Sequence, residues 1–198
     1  MPEVKSIFLL RHGEVQGAKE GAYYGKSDHI LSESGVLQAR AAAQRLERVP
    51  FQAIYCSPLR RCLQTARLVA GERLPVHPLD GLADLDFGQW EGLSIAEAMK
   101  DETAWALWTG GGLDGAPPGG ESAAALHERV VLAFEQMLAA YEGSCTLLLV
   151  GHHSTLRSIA AYCLGLGAEG ARSFRCMPGS LGLIEIVDGI PALCRWNA

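Results

Sequence analysis

Short, unbroken apolar runs alternate along this chain with stretches whose apolar residues recur at helical spacing, and that alternation restricts the fold more than any other feature. Ile7 to Leu10, Phe51 to Cys56 and Thr146 to Val150 are runs of the length expected for strands buried on both faces of a sheet. After the first, Ser32 can cap a helix that places Val36, Ala39, Ala43 and Leu46 on one face. Arg45 and Arg48 suit its negative end, and Pro50 stops it. Leu59, Cys62, Ala66 and Ala70 mark a second helix that Gly71 ends, and Leu126, Val130, Phe134, Met137 and Tyr141 mark a third. A fourth carries Leu156, Ile159, Ala160 and Cys163, and strands near Leu181 to Val187 and Pro191 to Trp196 close the chain. The pattern predicts the α/β class, a mostly parallel central sheet with helices on both faces, in one domain over residues 1–198.

Charge and cysteine content exclude several functions. A formal charge of -5 argues against a nucleic-acid partner, whose phosphates are bound by clustered Lys and Arg. The polar start from Met1 to Ser6 and the brevity of the run Ile7 to Leu10 argue against a signal core or membrane span, so we expect a cytoplasmic protein with no membrane partner. Six cysteines without a CxxC pair point to buried thiols, not to a metal site or disulfides. His29, His77 and His127 draw no role and are expected on loops or solvated surface.

Ligands of open α/β sheets bind beyond the carboxyl ends of the strands, so the residues following each apolar run are the candidates for chemistry. Arg11, His12 and Gly13 follow Leu10; Ser57, Pro58, Leu59, Arg60 and Arg61 follow Cys56; Gly151, His152 and His153 follow Val150. Guanidinium and imidazole groups gathered on one edge of an acidic protein repel one another unless an anion sits among them, and phosphate is the natural guest.

In this order the motifs resemble the histidine phosphatase superfamily, the fold of cofactor-dependent phosphoglycerate mutases and many small phosphatases. LLRHGE at 9–14 is similar to its nucleophile motif, SPLRRCLQTA at 57–66 to its second arginine motif and DFGQWEGLS at 86–94 to its acid region; GGES at 119–122 and LLLVGHHSTLR at 147–157 complete the set. The resemblance implies that His12 is the nucleophile and that Arg11, Arg61 and His152 grip the phosphoryl oxygens, with His152 the second catalytic imidazole. Arg61 fits the family spacing better than Arg60, and His153 stands where glycine is usual. Asp84 falls at the position of the usual glutamate proton donor; being one methylene shorter, it leaves Glu14 and Glu91 as alternatives. Val15 and Ala18 replace the commoner threonine and asparagine.

The implied reaction is hydrolysis of a small phosphomonoester through phosphohistidine, with no metal and no cofactor, its charge stabilised by the arginines and His152. The guanidinium groups should depress the pKa of His12, and Asp84 should protonate the leaving alkoxide. Between Leu93 and Gly120 the periodicity weakens into GGGLDGAPPGG, which predicts a mobile Gly/Pro-rich insertion, residues 93–120, over the active site. Lys100 is its only Lys or Arg, a poor cradle for a phosphorylated acid, which favours a hydrolase over a mutase, with Lys19 and Lys26 on the other side. A metal site at His12, His152 and His153 lacks ligands at short fixed spacing. A non-catalytic phosphate-binding module is the remaining alternative. Among substrates, GAYYGKSD at 21–28 is similar to α-ribazole phosphatases; Tyr23, Tyr24, Trp105 and Trp108 could stack on a heterocycle or simply cover the core. The oligomeric state is not legible.

Overall fold

The computed structural model describes residues 2–17 and 21–198; Ala18 and Lys19, both weighed above, lie outside the described residues. Six strands form one sheet: β1 (Val4–Arg11), β2 (Ala53–Cys56), β3 (Val76–Pro78), β4 (Cys145–Gly151), β5 (Leu181–Val187) and β6 (Ile190–Arg195), in the order β3-β2-β4-β1-β5-β6. β1 pairs parallel with β4, and β2 parallel with both β4 and β3. β5 and β6 add an antiparallel hairpin beyond β1, so the sheet is mixed and mostly parallel.

Alternation along the strands sends successive side chains to opposite faces, which is why helices are required on both. Ile7, Leu9, Leu147 and Leu149 face one side, where Leu126, Val130, Phe134 and Met137 of α5 (Ala123–Ala139) and Leu156 and Ile159 of α6 (His153–Cys163) cover them. Leu10, Ile54, Leu148 and Val150 face the other, covered by Ala42 and Leu46 at α1 (Glu33–Arg45) and by Cys62, Ala66 and Val69 of α2 (Arg60–Ala70). Leu147 to Val150 are wholly buried, so β4 is the spine of both cores. Replacing one such leucine by alanine would cost about 2–5 kcal/mol. The Ser32 hydroxyl accepts from Gly35 N–H, the cap expected for α1.

The segment 93–120 departs from expectation. It carries α3 (Ile95–Ala98), capped by Ser94 and Glu97, and α4 (Glu102–Gly110), capped by Asp101. Its aromatic rings turn inward: Trp105 and Trp108 each lie 5.8 Å from Trp90, which is buried beneath them. These large rings pack the segment against Trp90, and none of its residues stands in the wall of the cleft at the ends of the strands. The covering reading of Trp105 and Trp108 is the one the structure bears out. Of the cysteines, all free, five are buried as expected, whereas Cys194 is exposed on β6 because that strand forms the sheet edge. Among the described residues no helix is long and apolar enough to cross a membrane.

Candidate active site

β1, β2 and β4 end side by side, and the residues they release meet at one cleft of about 450 Å³. Arg11, His12, Arg61, Asp84, His153, Ser154 and Arg157 stand in its wall together with Tyr23, Tyr24 and His29. His12 leaves β1 with its backbone N–H on the Gly151 carbonyl of β4 at 3.0 Å, which fixes where its ring begins. The glycine that follows is a steric necessity: a Cβ on Gly13 would stand 2.3 Å from the Gly35 carbonyl oxygen, where α1 begins.

His12 is buried, and its Nδ1 lies 2.7 Å from the Gly13 carbonyl. A carbonyl can only accept, so Nδ1 carries the proton and Nε2 is left bare. Burial above all, then His152, Arg61 and Arg11, holds the His12 pKa well below the usual histidine value. The direction matches expectation; the main cause does not, since burial exceeds the guanidinium charges.

His152 caps α6 and is fully buried, with its ring 5.1 Å from that of His12 at a steep angle. Nδ1 accepts from Arg61 Nε–H at 3.2 Å, and Nε2 therefore donates to Ser57 Oγ at 2.7 Å. Burial first, then Arg61, Arg11 and Arg129, lowers its pKa, so the 3.3 Å approach of Nδ1 to Asp84 Oδ2 is not an ion pair. His152 thus belongs to the cluster but stands one layer behind the cleft wall.

Arg61 is nearly inaccessible and its fork is occupied: Nη1 donates to the Ser27 carbonyl, and Nη2 to the Gly25 carbonyl and to Asp84 Oδ2 at 3.1 Å. Arg60 takes no part; its backbone N–H donates to Asp28. Arg11 donates through Nη1 to the Cys176 carbonyl, while its buried Nε has no partner. Asp84 accepts from Leu85 N–H and from the Ser154 hydroxyl through its other oxygen.

The two alternative carboxylates are elsewhere. Glu14 is exposed and holds Gln38. Glu91 accepts from the backbone N–H groups of Gly25, Lys26, Ser27 and Phe87 and from the Ser27 hydroxyl, so it clamps the loop whose carbonyls receive Arg61. A Cβ on Gly25 would stand 1.6 Å from the Leu85 carbonyl oxygen, which ties that loop to the chain carrying Asp84. Arg129 braces the same chain from α5, donating to the Gly81 and Ala83 carbonyls while paired in two bonds with Glu121 of the GGES motif. Sequence reasoning missed Glu91 and Arg129 as braces, Ser57 and Ser154 as partners and Arg157 in the cleft; only its place in the GHHSTLR stretch, one helical turn after His153, could have signalled Arg157. His29 also faces the cleft, its ring edge-on to Tyr24 at 4.8 Å, whereas His77 is exposed.

Cationic side chains and a bare imidazole nitrogen gathered at the carboxyl edge of an open α/β sheet define an anion-binding enzyme of the phosphoryl-transfer class. The family model of the histidine phosphatase superfamily (branch 1) matches residues 7–198, and the chain belongs to that family. With relatives over nearly its whole length that are named as phosphatases, it is a phosphatase. The adenosylcobalamin/α-ribazole phosphatase of Salmonella typhimurium is 32% identical over 194 residues, covering 97% of this chain and 96% of its own. Phosphoserine phosphatase 1 of Hydrogenobacter thermophilus is 33% identical over 195 residues, 96% of this chain and 91% of that one. The crystal structure of the α-ribazole phosphatase from Shigella flexneri is similar with a TM-score of 0.89 at 30% identity, covering 98% of this chain and 96% of the other.

Proposed function

We infer that the chain acts as one domain, a metal-independent phosphomonoesterase that passes the phosphoryl group of a small organic phosphate through His12. The observation that carries this is the Nδ1 contact of His12 with the Gly13 carbonyl, which leaves Nε2 unprotonated in a cleft walled by Arg11 and Arg61. A neutral ring in that tautomer can attack phosphorus without first losing a proton. The guanidinium groups of Arg11 and Arg61 stabilise charge on the equatorial oxygens, and His152 backs Arg61 in that work. For a phosphoryl oxygen to reach Arg61, it takes the place that Asp84 occupies on Nη2.

Asp84 is the carboxylate in the cleft wall, and it serves as the general acid for the leaving alkoxide. Once ionised, Asp84 draws a water onto the phosphohistidine, which releases inorganic phosphate. Arg129 holds the Asp84 segment in place through the Gly81 and Ala83 carbonyls. Hydrolysis is favoured over the mutase reading because residues 93–120 supply no side chain to the cleft.

Relatives acting on α-ribazole phosphate and on phosphoserine stand at nearly equal identity, so similarity alone does not rank those substrates. Tyr23 and Tyr24 supply aromatic faces for a heterocycle such as α-ribazole. A cytoplasmic location suits the free thiols.

The test is phosphate release from p-nitrophenyl phosphate in the presence of a chelator, with His12→Ala as the comparison. The expected loss is about a thousandfold or more, together with the acid-labile phosphoenzyme. Retained turnover in the variant would remove the covalent route.

A further inference from the structure

In the wall of the same cleft, His153 and Arg157 present two hydrogen-bond donors to each other with no acceptor between them. His153 Nδ1 accepts from the Cys176 backbone N–H at 3.3 Å, so the ring proton of the neutral imidazole sits on Nε2. That Nε2–H stands 3.4 Å from Arg157 Nη1, which can only donate. Two donors at this distance repel unless an oxygen that accepts from both lies beside them. Arg157 forms no ion pair with a carboxylate among the described residues.

The chain brings Arg11 and His153 together through one residue: the Cys176 carbonyl receives Arg11, and the Cys176 N–H holds His153. His153 and Arg157 are one turn apart on α6 and therefore share a face. Charge of the same sign accumulates here. Arg175 and Arg172 add to it from the next loop, while the nearest acids are engaged, Glu169 with Arg172 and Asp84 with Arg61. Burial first, then Arg157 and Arg11, pushes the His153 pKa down to about 4, so at neutral pH the ring is a donor and not a cation.

We propose that His153 and Arg157 form a second anion subsite beside the phosphoryl pocket, so that the preferred substrate is a phosphomonoester bearing a further anionic group, a carboxylate or a second phosphate. This rests on the reading of His12 as phosphoryl acceptor. It ranks a phosphorylated acid above a nucleoside-type monophosphate for this chain, and it gives a purpose to the imidazole that stands where the family usually has glycine.

The experiment compares kcat/KM for 3-phosphoglycerate, for fructose 1,6-bisphosphate and for p-nitrophenyl phosphate. In Arg157→Gln the ratio of either probe with a second anionic group to the aryl phosphate should fall about tenfold, the worth of one charge-assisted hydrogen bond, mainly through KM. Arg157→Lys should restore part of it, and His153→Gly should lower the same ratio at least about twofold. A larger fall for 3-phosphoglycerate identifies the carboxylate as the guest, and a larger fall for the bisphosphate identifies a second phosphate. Unchanged ratios in Arg157→Gln overturn the proposal, and an unchanged ratio in His153→Gly removes the imidazole from it.

Calorimetry separates failure of the subsite from failure of the hydrolase reading. Should the wild-type protein hydrolyse none of the three probes, binding of 3-phosphoglycerate against that of inorganic phosphate still reads the subsite. Arg157→Gln should weaken the former about tenfold more than the latter, and equal weakening overturns the proposal.

Discussion

Arg61 donates through Nη2 to Asp84 Oδ2 at 3.1 Å while its Nε donates to His152 Nδ1, so one guanidinium fixes both the carboxylate and the second imidazole. The arrangement holds Asp84 at the cleft before any phosphate arrives. Proton delivery is needed only when the leaving group is a poor one. Asp84→Asn should therefore lower kcat about a hundredfold or more on an alkyl phosphate such as glycerol phosphate, with a much smaller loss on p-nitrophenyl phosphate. Parallel losses on both substrates would argue against a proton-donor role.

Arg129 reaches the same carboxylate through the backbone, by way of the Gly81 and Ala83 carbonyls. It touches no reacting atom, so its effect is positional. Arg129→Gln should reproduce the leaving-group signature of Asp84→Asn in weaker form, about tenfold on the alkyl phosphate, because misplacement weakens general acid catalysis without abolishing it. A uniform loss on both substrates would mark a purely structural role.

Glu91 contributes by receiving the N–H groups of the loop whose carbonyls accept from Arg61. Glu91→Gln replaces one oxygen by a donor that faces donors. It should cost about 1–3 kcal/mol of stability and raise KM, with kcat on the aryl phosphate less affected. Denaturant titration and a KM-against-kcat comparison check this, and an unaltered KM with full stability would refute the clamp.

The imidazoles set the acid side of stability. Burial lowers the pKa of His12, His152 and His153, the last from 6.5 to about 4. Unfolded histidines take up protons as pH falls through about 6.5 while the folded ones resist, so stability is complete above that value and declines below it. The melting temperature should fall from pH 6.5 towards 4, and less steeply in His153→Gln. Identical pH slopes for the two proteins would count against the burial of His153 as a cause.

Much of this was legible in the chain because β1, β2 and β4 are apolar runs whose ends carry Arg11, His12, Arg61 and His152 directly. Short or irregular parts were not. β3 is three residues long, too short for any period to register. In α3 and α4 the signal was divided, since Trp105 and Trp108 face a local cluster around Trp90 while Leu107, Ile95 and Met99 remain exposed. The cleft wall contains no residue of 93–120, so the expected cover over the site finds no support there. Glu91 and Arg129 bind backbone atoms, and no residue pattern announces a backbone partner. Arg157 was in view, but only the bend of the 174–180 loop back onto α6 shows what its guanidinium faces.

The strand order places β4, which arrives late in synthesis, between β1 and β2, which arrive early. In the native order β1 and β2 do not pair with each other, and each takes β4 as a neighbour, so their parallel ladders are complete only once residues 145–151 are present. Without β4 in place His12 has neither the Gly151 carbonyl nor the His152 ring beside it, so the residues that precede β4 in the chain cannot assemble the site among themselves.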